Sequence, residues 1–265
     1  MNIFITGATD GIGKQAALEL AQMGHHLFIH GRNEQRLLET KNWILSQNPK
    51  AEIKTYRADF ASLHEIKNMA DVFLSKSITL DVLINNAGVF EKNLVYSSDG
   101  FERTFAINHL AHFYLTHLFL PLLISQPSAR IINVASMAQA TTIDFNSLNA
   151  ETGYNRYDAY ALSKLCNILF TFKLARELKE KSISVNALHP GEISTKILRE
   201  GWGMSGSSCH TGASTILFLA TSNEGIQNTG HYYVNKRKSQ ASSVAYNLEN
   251  QDMLWELSLG MCNFK

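Results

Sequence analysis

Tyr160 and Lys164 stand four residues apart in Asp158-Ala-Tyr160-Ala-Leu-Ser-Lys164. On a helix, positions i and i+4 share a face, which brings the ammonium within a few ångströms of the phenol. An adjacent cation favours the phenolate and is expected to draw the tyrosine pKa below its usual value of about 10. A phenol so tuned can give a proton to a developing alkoxide or take one from an alcohol. The spacing recurs at Tyr232 and Lys236, but in a run of β character, where four residues span about 13 Å. Only the first pair can cooperate.

A second group of residues suits a dinucleotide. The segment Thr6-Gly7-Ala8-Thr9-Asp10-Gly11-Ile12-Gly13 directly follows the apolar run Ile3-Phe4-Ile5. Closely spaced glycines between a strand and a helix permit a tight turn, a close backbone approach to phosphates, and close helix packing. The helix beginning near Gly11 then turns unpaired N–H groups and the positive end of its dipole toward an anion. Such a loop can also be simple tight packing. The periodic residues Ala16, Ala17, Leu20 and Ala21, with a stop at Gly24, favour the nucleotide reading.

Other polar residues fall at strand ends, where open parallel sheets bind ligands. Gly31-Arg32-Asn33 follows the second strand. A carboxylate there selects NAD(H), whereas a 2′-phosphate needs a cation; Arg32 therefore favours NADP(H), with NAD(H) still possible. Asp59 is either an acceptor for the adenine amino group or a carboxylate at a helix N-terminus near residue 60. Asn85-Asn86-Ala87-Gly88 leaves room beside a cofactor while its amides satisfy the backbone.

The elements that must position these residues alternate. Strand-like runs at 3–6, 27–30, 53–56, 82–85, 130–135, 183–188 and 232–235 enclose helical spacing at 11–24, 33–47, 62–77, 99–124, 156–180 and 210–221. That pattern predicts an α/β fold, a Rossmann-type doubly wound parallel sheet of about seven strands with helices on both faces. No repeat or linker divides the 265 residues, so a single domain is expected over 1–265. The net charge of +1, with 18% charged residues, gives no electrostatic case for nucleic acid or a membrane surface. Lys236-Arg237-Lys238 reads as a solvated turn. Cys166, Cys209 and Cys262 form no CxxC pair, and Cys209-His210 lacks a second pair at ligand spacing, so no metal site is expected. With a strand starting at residue 2 or 3 and an apolar run (113–124) too short to span a bilayer, the expectation is a cytoplasmic protein without a membrane anchor. The irregular stretches 137–155 and 190–210 read as functional loops. His109, His112 and His117 read as packing or capping residues.

Taken together and in order, Thr6-Gly7-x-x-x-Gly11-Ile12-Gly13, Asn85-Asn86-Ala87-Gly88, Asn108, Ser136, Tyr160-x-x-x-Lys164 and Pro190-Gly191 with Thr195 resemble the short-chain dehydrogenase/reductase family over essentially the whole chain. Within it, Phe105-Ala-Ile-Asn108-His-Leu-Ala-His-Phe-Tyr-Leu-Thr116, Tyr160-Ala-Leu-Ser-Lys164-Leu-Cys-Asn-Ile-Leu-Phe-Thr171 and the insertion between Ser136 and Tyr160 resemble the retinol-dehydrogenase-like and WW-domain-oxidoreductase-like group. The resemblance implies an NADP(H)-dependent oxidoreductase acting on an apolar carbonyl or alcohol. Tyr160 is then the general acid or base, Lys164 the holder of the nicotinamide ribose, and Ser136 the stabiliser of the reacting oxygen. Asn108 anchors the lysine through a water, and Thr195 contacts the nicotinamide carboxamide or phosphates. The cofactor set comprises Gly7, Thr9, Asp10, Gly11, Ile12, Arg32, Asp59, Asn86, Ala87, Gly88, Tyr160, Lys164, Pro190, Gly191 and Thr195. Asp10 departs from NADP-selective relatives, many of which carry a cation there. A lid at 192–210 is expected, with Ile193, Ile197, Leu198, Trp202 and Met204 as its apolar residues and Gly201, Gly203 and Gly206 giving mobility. The resemblance also implies a homodimer or homotetramer through helices 99–124 and 156–180, where Phe113, Phe119, Phe170 and Phe172 would pair. The alternative is a catalytically silent NADP(H) sensor, against which Ser136, Tyr160 and Lys164 all stand.

Overall fold

A computed structural model of the chain describes residues 1–151 and 153–264. The first half alternates strictly: β1 (Asn2–Ile5), α1 (Gly11–Gln22), β2 (His26–Gly31), α2 (Glu34–Gln47), β3 (Ile53–Arg57), α3 (Leu63–Leu74) and β4 (Val82–Asn85). One continuous helix follows, made of α4 (Arg103–Phe105), a π-helical turn (Ala106–Leu110) and α5 (Ala111–Ile124). Then come β5 (Ala129–Val134), α6 (Arg156–Glu177), β6 (Ile183–His189), α7 (Lys196–Trp202), α8 (Cys209–Thr221) and α9 (Asn223–Gln227). The chain finishes with β7 (His231–Val234), β8 (Arg237–Ser239) and α10 (Leu248–Met261).

The strands form a single sheet in the order β3-β2-β1-β4-β5-β6-β7-β8, parallel except for β8. Ile5 pairs with Ile29 of β2 on one side and Ile84 of β4 on the other. The chain therefore reverses its direction of winding at β1, and the crevice beyond Ile5 and Asn85 is the ligand position of such sheets. Alternation along β1 feeds two cores. Ile3 and Ile5 pack with α1, α2 and α8, while Phe4 packs with α3, α5 and α6.

Local signals place the helix starts. Asp10, Asn33, Ser62, Asn155 and Thr195 each accept a main-chain N–H from the first turn of the helix they precede. Glu102 caps the long helix by accepting from Thr104 and Phe105, so that helix starts at Arg103 and not at 99. Its π-helical turn carries Asn108. Helix 103–124 is apolar enough by length and composition to cross a membrane, yet 61% of its most apolar window is buried inside the protein, so here it is a core helix.

Three expectations need correction. Asn235 and Lys236 take the left-handed backbone conformation, making the turn, but Arg237 and Lys238 belong to β8, an antiparallel edge strand that brings the sheet to eight. Lysine and arginine on a short edge strand discourage further strand pairing. The segment 190–210 is not irregular throughout, since α7 lies inside it. Most consequentially, α10 lies over α6 and its neighbours. Trp255 packs on Phe113 with ring centres 5.3 Å apart, Asp252 pairs with Lys173 and Arg176, and Ser258 hydrogen-bonds His109. Phe113, Phe119, Phe170 and Phe172 are all buried within this one chain. They do not form the exposed face that pairing with a second copy requires.

Candidate active site

The glycine loop is held to β4 by side chains the sequence had set beside it. Thr6 Oγ1 accepts main-chain N–H groups from Asn86 and Ala87 at 2.8 and 2.9 Å. The Asn86 side-chain amide donates to the Thr6 and Gly7 carbonyls at 2.9 and 3.2 Å. Gly7, at φ +65°, lies so close to this segment that a Cβ would stand 2.7 Å from the Ala87 Cα. A Cβ at Gly13 would strike both the Asn86 amide and the Gly7 carbonyl. Only glycine permits this approach.

Two buried imidazoles complete the scaffold, and their partners define their protons. Gly7 N–H donates to His30 Nδ1, so His30 Nε2–H donates to the Ala58 carbonyl at 3.0 Å. His112 Nδ1–H donates to the Asn108 carbonyl at 3.0 Å, which leaves Nε2 to accept from Thr6 Oγ1–H at 3.0 Å. Burial pushes His30 down to about 4 and His112 down to about 3, so both are neutral. His112 is thus the packing residue expected, with the added task of tying the π-helical turn to the glycine loop.

A cleft of about 620 Å³ opens at this crevice, and every expected site residue except Asn108 lines it. Asn108 lies fully buried behind the wall, where its amide clasps Val89 at both N–H (2.8 Å) and C=O (3.0 Å) and donates to Ser163 Oγ. Asp59 accepts from Ala61 N–H at 3.0 Å, capping the turn ahead of α3, and Ser62 is the helix N-cap itself. Thr195 caps α7 and comes within 3.3 Å of where a Gly11 Cβ would be, which joins the lid to the glycine loop. Gly191 takes φ +101°.

Tyr160 and Lys164 share the buried face of α6, as their spacing requires, and Ser136 hydrogen-bonds Tyr160. The expected fall in the phenol pKa is not found. Burial pushes Tyr160 up to about 12, offset only in part by Ser136. Lys164 Nζ donates to the Val134 carbonyl at 3.0 Å and stands 5.5 Å from the Tyr160 ring centre, and burial lowers it to about 8. Desolvation disfavours each charged form and here outweighs their mutual attraction.

Some cleft residues carry no local signal. Arg36, in the first turn of α2, donates to Asp10 Oδ2 at 3.1 Å and to the Thr9 carbonyl at 3.4 Å. Arg32 makes no ion pair among the described residues. His189, just before Pro190, accepts from Met137 N–H at 3.2 Å and is lowered to about 4 by burial and by Lys164. Phe90, two residues past Gly88, touches Tyr157, Tyr160 and Trp202.

The glycine cradle fits a dinucleotide backbone: Asp10 holds the Gly11 amide, and helix geometry leaves the next first-turn amides of α1 without an intrahelical acceptor. Residues 1–204 match the short chain dehydrogenase family. The chain belongs to that family. It is 35% identical to human retinol dehydrogenase 13 over 271 residues, covering 96% of this chain and 82% of that one. It is 33% identical to the chloroplastic short-chain dehydrogenase TIC 32 A of Brassica napus, covering 98% and 88%. A crystal structure of a Mycobacterium paratuberculosis protein matches with a TM-score of 0.82 at 28% identity over 99% of this chain and 93% of that one. A Shigella flexneri short chain dehydrogenase complexed with NADP matches in fold, with a TM-score of 0.72 at 22% identity over 89% and 97%. This short-chain dehydrogenase therefore falls in the retinol-dehydrogenase-like group and is an oxidoreductase acting on CH–OH donors.

Proposed function

We propose that this dehydrogenase uses NADP(H) to interconvert an apolar carbonyl compound and its alcohol, with Tyr160 as general acid and base. The reading rests on Tyr160, Ser136 and Lys164 lining the same cleft as the glycine loop. When bound, the nicotinamide supplies or accepts the hydride. In reduction, Tyr160 releases its hydroxyl proton to the carbonyl oxygen as negative charge builds there, and Ser136 donates a hydrogen bond to the same oxygen. A phenol held at about 12 is protonated at neutral pH and ready to donate. Lys164, fixed by Val134, keeps a positive charge beside the phenolate that remains. In oxidation Tyr160 takes the alcohol proton back. Asn108 acts by holding Val89, and through Ser163 it supports the α6 turn that carries Tyr160.

Arg32, with no carboxylate partner among the described residues, supports NADP(H) over NAD(H), as does the NADP complex of the Shigella relative. Apolar Ile193, Ile197, Leu198, Trp202 and Met204 along the cleft support an apolar substrate. The free cysteines support a reducing compartment, the cytoplasm. The test is a panel of aldehydes, ketones and alcohols with each cofactor, read by nicotinamide absorbance. Tyr160→Phe is expected to keep NADPH affinity and lose turnover by about 10²–10⁴. Unchanged turnover would reject the assigned role.

A further inference from the structure

We infer that Trp202 is an internal occupant of the substrate seat, and that the substrate is a carbonyl compound whose flat, rigid ring system replaces the indole. This deepens the carbonyl-reductase reading and rests on it. Tyr160 must present its hydroxyl to the reacting oxygen, yet only 7% of the residue is exposed. Aromatic rings cover it. The Trp202 ring centre lies 5.4 Å from that of Tyr160 in an edge-on arrangement, 5.3 Å from Phe90 and 5.8 Å from Tyr157. Phe90 in turn lies 5.7 Å from Tyr160 and 5.5 Å from Tyr157. The indole thus rests edge-on against the phenol ring, in the part of the cleft that the group bearing the carbonyl has to enter.

The surrounding backbone suits a ring that leaves and returns. The base of the lid is pinned: Ser194 Oγ donates to the Gly206 carbonyl and accepts from its N–H, and Ser207 N–H donates to the Glu192 carbonyl. Between these ties α7 presents Trp202 at its end, followed by Gly203 at φ +66° with open space around it. What holds the tip is the Tyr157 hydroxyl on the Gly201 carbonyl at 2.8 Å, together with the ring contacts. Trp202 is 37% exposed, so its outward path is open. When the indole leaves, the rings of Phe90 and Tyr157 remain as walls. They reward a planar ring system with offset or edge-on contacts that a flexible alkyl chain cannot make.

Self-occupancy makes a prediction distinct from that of a wall. An occupant competes equally with every substrate, whereas a wall favours those that stack on it. The decisive measurement is 9-fluorenone binding by calorimetry to the NADPH complex of Tyr160→Phe, with and without Trp202→Ala, so that no turnover is needed. Removal of the indole is expected to tighten 9-fluorenone about tenfold, and Trp202→Phe, which keeps a ring in place, is expected to change it less than threefold. In the enzyme with Tyr160 intact, Trp202→Ala is expected to lower KM for 2-naphthaldehyde and hexanal by similar factors. Weaker or unchanged 9-fluorenone binding in Trp202→Ala would overturn the inference. A wild type that reduces no carbonyl with either cofactor would end the reductase reading itself, and the binding comparison would still be readable.

Discussion

The ammonium of Lys164 donates to the main-chain carbonyl of Val134, not to the phenol of Tyr160. The lysine is therefore fixed by β5, and its charge reaches the phenol through a short stretch of low-dielectric interior. That arrangement leaves Lys164 poised with a pKa of about 8, while the phenol stays protonated up to about 12.

The pH dependence of reduction follows from these two groups. Lys164 is charged below its pKa and loses that charge as the pH rises through about 8, well before Tyr160 ionises. Carbonyl reduction is expected to hold its kcat/KM up to that point and then fall, approaching about tenfold per pH unit. Lys164→Met is expected to abolish this limb along with most of the activity. A wild-type profile that stays level to pH 10 would show that the lysine charge is not required.

On the proposed NADP(H) reading, cofactor choice turns on Arg32. Charge-assisted bonds to a phosphate contribute roughly 1.5–3 kcal/mol, so Arg32→Asp is expected to weaken NADPH about 10–100-fold and NADH far less. Arg36 is half-exposed and already tied to Asp10, so its pairing contributes little to stability. Asp10→Asn, which frees it, is expected to tighten NADPH. Fluorescence titration with each cofactor checks both variants. Equal losses for NADPH and NADH in Arg32→Asp would refute the phosphate assignment.

Asn108 makes a stability prediction. Asn108→Leu strips partners from both main-chain groups of Val89, and a buried group left unpaired costs about 1–3 kcal/mol. Urea unfolding is expected to show a loss of at least ~2 kcal/mol, with turnover falling as well because Val89 lines the cleft. A variant within ~0.5 kcal/mol of wild type would mean that the clasp is dispensable.

Much of the fold and site was legible because the signals are local. The glycines at 7, 11 and 13 and the spacing of Tyr160 and Lys164 each act over a few residues, and the structure closes the glycine turn against β4 and sets the tyrosine and lysine on one buried face of α6. Helix α10 was not legible. Its inward positions include Gln251 and Ser258, while Leu248 and Met253 face outward, so no apolar stripe marks the face that docks. The phenylalanines read as a face for a second copy are apolar for an intrachain reason: Trp255 packs on Phe113 and Phe170, Phe119 packs on Phe4 and Phe73, and Phe172 packs on Tyr246.

The sequence alone determined the glycine turn, the spacing of Tyr160 and Lys164 and the order in which strand and helix follow one another, because turn geometry and helical spacing need no distant partner. Tertiary structure alone decided how those side chains behave. The height of the Tyr160 pKa, the tether of Lys164 to Val134, the pairing of Arg36 with Asp10 and the indole resting on the phenol all depend on desolvation and on contacts between segments far apart in the chain. Charges and rings respond to everything within a few ångströms, and that neighbourhood exists only once the sheet and its two helical layers have closed around it.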